Sequence, residues 1–180
     1  MIGNNFKTLY PNEASQLKFF ESYKKISKEI GAFYMGYILE DKKNGNRVGF
    51  TTNLSWGKEY KERYVECCHL WNKVQEFFNH SKQENFILPW STVKPTTNLQ
   101  KDILLRRKEL LIGDDGISLC HKKNEFQEYY YFAPEIRQKK FLTYITKNMN
   151  LIKNEISLFR NESIKTINNN TIMEVRRRER

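Results

Sequence analysis

Residues 32–53 read AFYMGYILEDKKNGNRVGFTTN, and this stretch decides the fold. Ala32 to Glu40 is aromatic and β-rich, and Arg47 to Asn53 forms a second run of the same kind. Between them lies Lys43-Asn44-Gly45-Asn46. Asn-Gly is a strong type I′ turn signal, because both central positions of that turn need φ > 0. The stretch therefore predicts two antiparallel strands joined as a hairpin.

Working outward, Asn12 is a fitting N-cap with Glu13 in the first turn after it. Leu17, Phe20, Tyr23, Ile26 and Ile30 recur at helical spacing until Gly31 stops the pattern, which predicts an amphipathic helix over 13–30. Downstream, Trp56, Tyr60, Tyr64, Cys67, Trp71, Val74 and Phe78 recur at three- and four-residue steps. They predict one long helix, or a broken pair, over 56–80. Asn85 to Trp90 is short and apolar before Pro95 and reads as a third strand or an ordered loop. Residues 99–111 are helical in period with Ile103, Leu104 and Leu110 inward. A second hairpin is expected from Ile117–His121 and Glu125–Ala133 around Lys122-Lys123-Asn124. Pro134 suits the first turn of a last helix reaching about Phe159, and the polar residues 161–170 read as a linker.

The order is helix, hairpin, long helix, strand, helix, hairpin, helix. An α/β (α+β) fold satisfies it: a three-layer α-β-α sandwich with a central antiparallel sheet, of the PAS/GAF kind. Such a sheet leaves room for a cavity beneath one helical layer.

A length of 180 residues fits one domain, and 39% hydrophobic residues with 14% aromatics supply enough material for its core. No apolar run approaches the ~20 residues of a membrane span, and Met1 to Tyr10 lacks the pattern of a secretory signal. Cys67, Cys68 and Cys120 form no disulfide framework, so a reducing cytoplasm is the expected location. The net charge of +10 includes Arg176, Arg177, Arg178 and Arg180 at the end; elsewhere lysines alternate with acids, as on a solvated face. Cys67-Cys68-His69 has no partner at metal-ligand spacing, and no nucleophile elbow, phosphate loop or dinucleotide fingerprint occurs. No catalytic residue, metal site or cofactor is expected, and the chain is not read as an enzyme.

Several residues carry a resemblance. Trp56 is followed four residues later by Tyr60, just after the first hairpin; Phe86-Ile87-Leu88-Pro89-Trp90 is an aromatic-rich stretch ending in Trp; Gly116-Ile117-Ser118 opens the second hairpin. In this order they resemble the autoinducer-binding domain of LuxR-type bacterial transcription regulators, over roughly residues 13–160. The resemblance implies a ligand-sensing domain over 1–160, a linker over 161–174, and at 175–180 the start of a helix-turn-helix domain that is otherwise missing. Val175-Arg176-Arg177-Arg178-Glu179 is similar to the Leu-Thr-x-Arg-Glu opening of the family's DNA-binding domain.

On that resemblance the ligand-binding residues are Trp56, Tyr60 and Trp90, joined by His69, Tyr34, Ser118 and Tyr130. The implied partners are a small apolar signal molecule, DNA through the missing C-terminal domain, and a second copy of the chain; no membrane is implied. The chain departs from the family where an Asp-Pro pair normally follows the Tyr, since His69-Leu70 stands there. It departs again where the family has a Tyr shortly before the Trp, with Thr51-Thr52-Asn53-Leu54 in that region. A neutral imidazole accepts a hydrogen bond but is not a carboxylate, so acyl-homoserine lactones are expected to bind weakly or not at all. The other reading is an interaction module that pairs with full-length regulators without a ligand. The sensor requires a closed apolar cavity with a few polar groups, and the module requires that space filled by side chains.

Overall fold

A computed structural model describes residues 7–9, 11–110, 112, 115–134 and 140–178, with side chains between residues 9 and 169. The hairpin at 32–53 forms its centre. β2 (Ala32–Asp41) and β3 (Asn46–Thr51) pair antiparallel, Asp41 opposite Asn46. The connecting loop is four residues long rather than the two of a type I′ turn. Gly45 takes φ 65°, Asn44 stays at negative φ, and the Asp41 carboxylate accepts from the Lys43 and Asn44 N–H groups. That acceptor does what a second left-handed residue would otherwise do. The second hairpin has the tight loop instead: β5 (Ile117–Lys123) and β6 (Phe126–Pro134) are joined by Asn124 and Glu125, with Asn124 at φ 54°.

The sheet runs β1-β3-β2-β6-β5-β4, where β1 is Lys7–Leu9 and β4 is Asn85–Pro89. Five strands are antiparallel to their neighbours, and β1 adds a short parallel edge beside β3 that periodicity did not indicate. The long central strands are buried almost without interruption, as in β2. A strand apolar on both faces needs a helical layer on each. One layer holds α1 (Glu13–Ile30), α5 (Phe141–Lys147) and α6 (Met149–Arg178); Phe19, Tyr37, Phe50, Phe132 and Phe159 fill the space between it and the sheet. The other holds α2 (Leu54–Glu59), α3 (His69–His80) and α4 (Asn98–Glu109) over Tyr34, Tyr129, Trp71, Phe78 and Ile103.

The bounds of α1 are those expected: the Asn12 side chain accepts from Ser15 N, and Gly31 at φ 67° closes the end. Its inward stripe differs, being Ser15, Phe19, Ser22, Ile26 and Ile30, with Leu17 61% exposed. The two serines conceal the stripe from a hydrophobicity count, yet their small size brings α1 against α6, where Ser22 Oγ donates to the Glu155 carbonyl. On α4, Ile103 is buried as expected, while Leu104 and Leu110 are half-buried and Arg107 takes the second inward place.

The 56–80 segment is the broken pair, two helices with a π turn at Tyr60–Tyr64 and a break at residues 65–68. Two readings need correction. Pro134 ends β6 opposite Ala32 rather than opening a helix. Residues 161–170 continue α6, and Ser163 and Ile167 are buried, so packing on the sheet persists beyond residue 160 into the segment whose polarity suggested a linker. Residues 175–178 prolong the same helix, and 179–180 lie outside the described residues.

Candidate functional site

The α2–α4 layer does not sit flush on the sheet. Between them lies a cavity of about 320 Å³, at the small end of ligand sites, which run from about 300 to 1,000 Å³. Its walls come from β2 and β3 (Tyr34, Ile38, Thr51), from α2 and the π turn (Trp56, Tyr60), and from the start of α3 (Leu70). Trp90, Arg107, Ile112 and Tyr131 close the far side.

Local structure explains each wall. Asn53 caps α2 by accepting from Trp56 N, which sets the first turn of the helix against β3. The π turn, closed by Val65 N–H donating to the Tyr60 carbonyl, widens the helix by one residue. It thereby brings both Tyr60 and Tyr64 onto the Trp56 ring, at centroid distances of 5.3 and 5.9 Å. Such π turns recur at functional sites. Trp90 follows β4, and its indole N–H donates to the buried Ser118 Oγ at 2.8 Å. Gly116 makes that position available: a Cβ there would lie 2.3 Å from the Trp90 ring.

The polar groups around the cavity include tyrosine hydroxyls, which donate or accept, and the buried Gln16 Oε1, an acceptor without a described partner. Burial raises the Tyr34 hydroxyl pKa, opposed by the Thr51 hydroxyl and the Trp56 indole as donors. Burial raises Tyr60 and Tyr131 further, with Cys68 adding to both. All three phenols therefore stay protonated at neutral pH. Among the described residues the Tyr131 hydroxyl, although buried, has no hydrogen-bond partner. Arg107 lies 5.1 Å over the Trp90 ring, and its Nη2 donates to His69 Nε2 at 3.2 Å. Burial first, and the Arg107 charge second, lower the His69 pKa to about 4. The imidazole is thus neutral at pH 7 and orients the guanidinium.

Of the residues singled out from sequence, Trp56, Tyr60, Trp90 and Tyr34 meet at the cavity. Ser118 lies behind Trp90 and holds it. His69 faces a second, smaller space of about 140 Å³ behind Trp90 and Arg107, with Lys94 and Pro95; its neighbour Leu70 lines the main cavity instead. Tyr130 is on the opposite face of the sheet, where it stacks on Tyr37 and donates to Glu128. Side chains alternate along β6, so Tyr131 occupies the place that was expected of Tyr130. Sequence reasoning also missed Arg107. The available signal was a basic residue four positions after the buried Ile103, on the apolar stripe of α4.

No protein-family model matches the sequence, and no curated protein matches it either. Solved structures do. SdiA in complex with octanoyl-rac-glycerol is similar with a TM-score of 0.54 at 10% identity, over 82% of this chain and 59% of SdiA. CepR2 from Burkholderia cenocepacia, described as an N-acylhomoserine lactone dependent LuxR family transcription factor, is similar with a TM-score of 0.52. Its identity is 8%, over 82% of this chain and 96% of CepR2. Escherichia coli SdiA in another structure gives 0.53 at 10% identity, over 82% of this chain and 61% of SdiA. The chain has the fold of these regulators, and it spans about three fifths of the length of SdiA. Among the described residues, no helix is long and apolar enough to cross a membrane.

Proposed function

We propose that this chain is the signal-sensing domain of a LuxR-type transcription regulator, holding a small amphipathic molecule between the sheet and the α2–α4 layer. The observation that carries the reading is the cavity itself, walled by Trp56, Tyr60, Tyr34 and Trp90. An interaction module working without a ligand would have this volume filled by side chains. The Trp-x-x-x-Tyr pair, the aromatic stretch ending in Trp90 and the Gly116–Ser118 segment each have a task in shaping it, and the fold likeness points the same way.

The ligand acts by completing this layer. Five wall residues (Trp56, Tyr60, Leu70, Trp90 and Arg107) come from four separate segments, so an occupant that touches all of them ties the segments together. It shifts the population towards the ordered state by the difference between its affinities for the two states. In the full regulator that shift governs homodimerisation in the cytoplasm and DNA binding. Native mass spectrometry of the protein purified from its own host tests the reading. A retained small molecule, released on unfolding and accompanied by a rise in thermal stability, is expected. A protein that retains nothing, and whose stability and tryptophan emission no amphiphile changes, overturns it.

A further inference from the structure

Resting on that reading, we infer that the ligand carries an unbranched hydrocarbon tail that crosses the sheet over Gly49, and that the missing side chain there sets the tail length the cavity accepts. Three glycines line the cavity among the described residues: Gly36, Gly49 and Gly57. Two of them have their reason within the protein. A Cβ at Gly57 would lie 2.3 Å from Thr51 Cγ2, so this glycine lets α2 come down on β3. A Cβ at Gly36 would lie 2.8 Å from the Tyr34 hydroxyl oxygen and 3.3 Å from the Tyr131 ring, so this one makes room for two tyrosines. Gly49 has neither reason. Among the described atoms, a Cβ there would meet only Ile38 Cγ1 and the Tyr37 carbonyl oxygen, both at 3.6 Å, which is ordinary contact. Its φ is not in the left-handed region either, so the backbone makes no demand for glycine.

Glycine inside a strand weakens it, because a freer backbone must be ordered and no side chain packs in return. β3 bears that loss in the middle of its pairing with β2, where Gly49 stands opposite Ile38. What the loss secures is space. Arg47, Gly49 and Thr51 alternate onto one face of β3 and all three line the cavity, so a side chain at 49 would enter it. The nearest side chain to the gap is Ile38, and Leu54 and Trp56 of α2 belong to the same lining. The next polar group on that face, the Thr51 hydroxyl, is taken up by the Tyr34 hydroxyl at 3.4 Å and the Asn53 carbonyl at 3.3 Å. A bare Cα in an apolar wall lets a chain of methylenes lie directly on the strand.

The test compares the wild-type chain with Gly49→Ala and Gly49→Val, each freed of any retained molecule. Straight 1-alkanols from hexanol to dodecanol are titrated below their solubility limits and read by tryptophan emission and calorimetry. Each buried methylene strengthens binding about fourfold until the cavity is full. Alanine adds a methyl group to the cavity and valine an isopropyl group. The length at which affinity stops rising is therefore expected to fall by about one carbon and about three carbons respectively. An alcohol that just fills the wild-type cavity should bind roughly fourfold more weakly to Gly49→Ala and roughly sixtyfold more weakly to Gly49→Val, while hexanol binds all three alike. The empty variants should melt no lower than the wild type, since alanine and valine order less backbone freedom than glycine and valine suits a strand. A limit at the same length in all three proteins overturns the assignment of the tail to Gly49 and leaves the sensing function standing. So does a variant that fails to fold, or that melts lower and weakens every alcohol by one factor, because the fold and not the ligand then needs Gly49. Where a molecule is retained from the host, Gly49→Val is expected to hold a shorter homologue or less than about a tenth of the wild-type amount; equal retention of the same molecule overturns the proposal. Silence from every alcohol in the wild-type protein, with nothing retained, removes the sensing function as well.

Discussion

Replacing Gly116 by alanine tests whether the cavity wall is built as described. Gly116 is not among the positive-φ glycines, which in the described residues are Gly31 and Gly45, so alanine meets no backbone strain. It meets the Trp90 ring: its Cβ would lie 2.3, 2.4 and 2.6 Å from three ring carbons. Carbon atoms rest at about 3.5–4.0 Å, so the indole must retreat by roughly 1 Å. That movement draws Nε1 away from Ser118 Oγ, a 2.8 Å bond with both partners buried, and lifts the ring from Arg107. Overpacking costs about 1–3 kcal/mol and the lost buried bond about 1–3 more, in all about 2–6 kcal/mol. In a domain of this size, at about 2–4 °C per kcal/mol, that lowers Tm by roughly 4–24 °C. Urea unfolding gives the free energy, and tryptophan emission should shift to the red as Trp90 gains water. Ser118→Ala loses the bond without the clash, and the double variant should cost less than the sum of the two, because both act through one ring. A Gly116→Ala protein with an unchanged urea midpoint and unchanged emission would show that Trp90 is not held this way, and the wall of the site would need rebuilding.

His69 makes stability depend on acid. Its pKa is 6.5 when unfolded and about 4 when folded, so its contribution is whole above pH 6.5 and declines as the pH falls towards 4. The loss reaches about 3 kcal/mol at most, and His69→Gln should flatten the urea midpoint between pH 7 and 4.5; an equally steep decline in the variant would assign the acid sensitivity elsewhere. On the other face, Glu128 is buried and accepts from Arg160, Tyr37 and Tyr130. Arg160→Ala strands that carboxylate and should cost about 3–5 kcal/mol by urea unfolding, whereas a loss below 1 kcal/mol would mean that α6 is not anchored there. Acyl-homoserine lactones should bind weakly, since an amide that finds no carboxylate at His69-Leu70 forfeits about 1–3 kcal/mol, and a second lost partner makes the deficit about a hundredfold or more; micromolar or tighter binding by calorimetry would refute this. Burial raises the Cys120 thiol far more than that of half-buried Cys67. Alkylation of the native protein should therefore modify Cys67 well before Cys120, and equal rates would contradict the packing of β5.

The fold was legible wherever a local signal fixes a boundary. Asn12 and Gly31 bound α1 to the residue, and the aromatic runs at 32–53 yielded the central hairpin. What escaped was governed by tertiary contact. Ser15 and Ser22 lie inward because α6 passes close over α1, a neighbour more than a hundred residues away that no window around residue 20 contains. Pro134 carries opposite meanings at the end of a strand and at the start of a helix. Only its pairing with Ala32 decides between them. Polarity at 161–170 suggested a linker because five of those ten residues are Asn or Glu, yet two buried positions, Ser163 and Ile167, suffice to hold the helix on the sheet.

The site was legible for a different reason, and its limit is one of parity. Trp56 and Tyr60 lie four residues apart on a helix, a spacing that fixes a shared face without any knowledge of the sheet. Tyr129-Tyr130-Tyr131 has no such internal reference. Three consecutive tyrosines on a strand read identically in either register, and a shift of one residue exchanges the two faces. The structure puts Tyr131 at the cavity and Tyr130 among the aromatics beneath α6. The same step of one residue separates His69, which faces the smaller space, from Leu70, which faces the larger. A polar residue assigned to a binding site by family position alone is therefore least secure where the chain offers another of its kind next door. It is most secure where a glycine, as at 116, leaves room for one ring and no other.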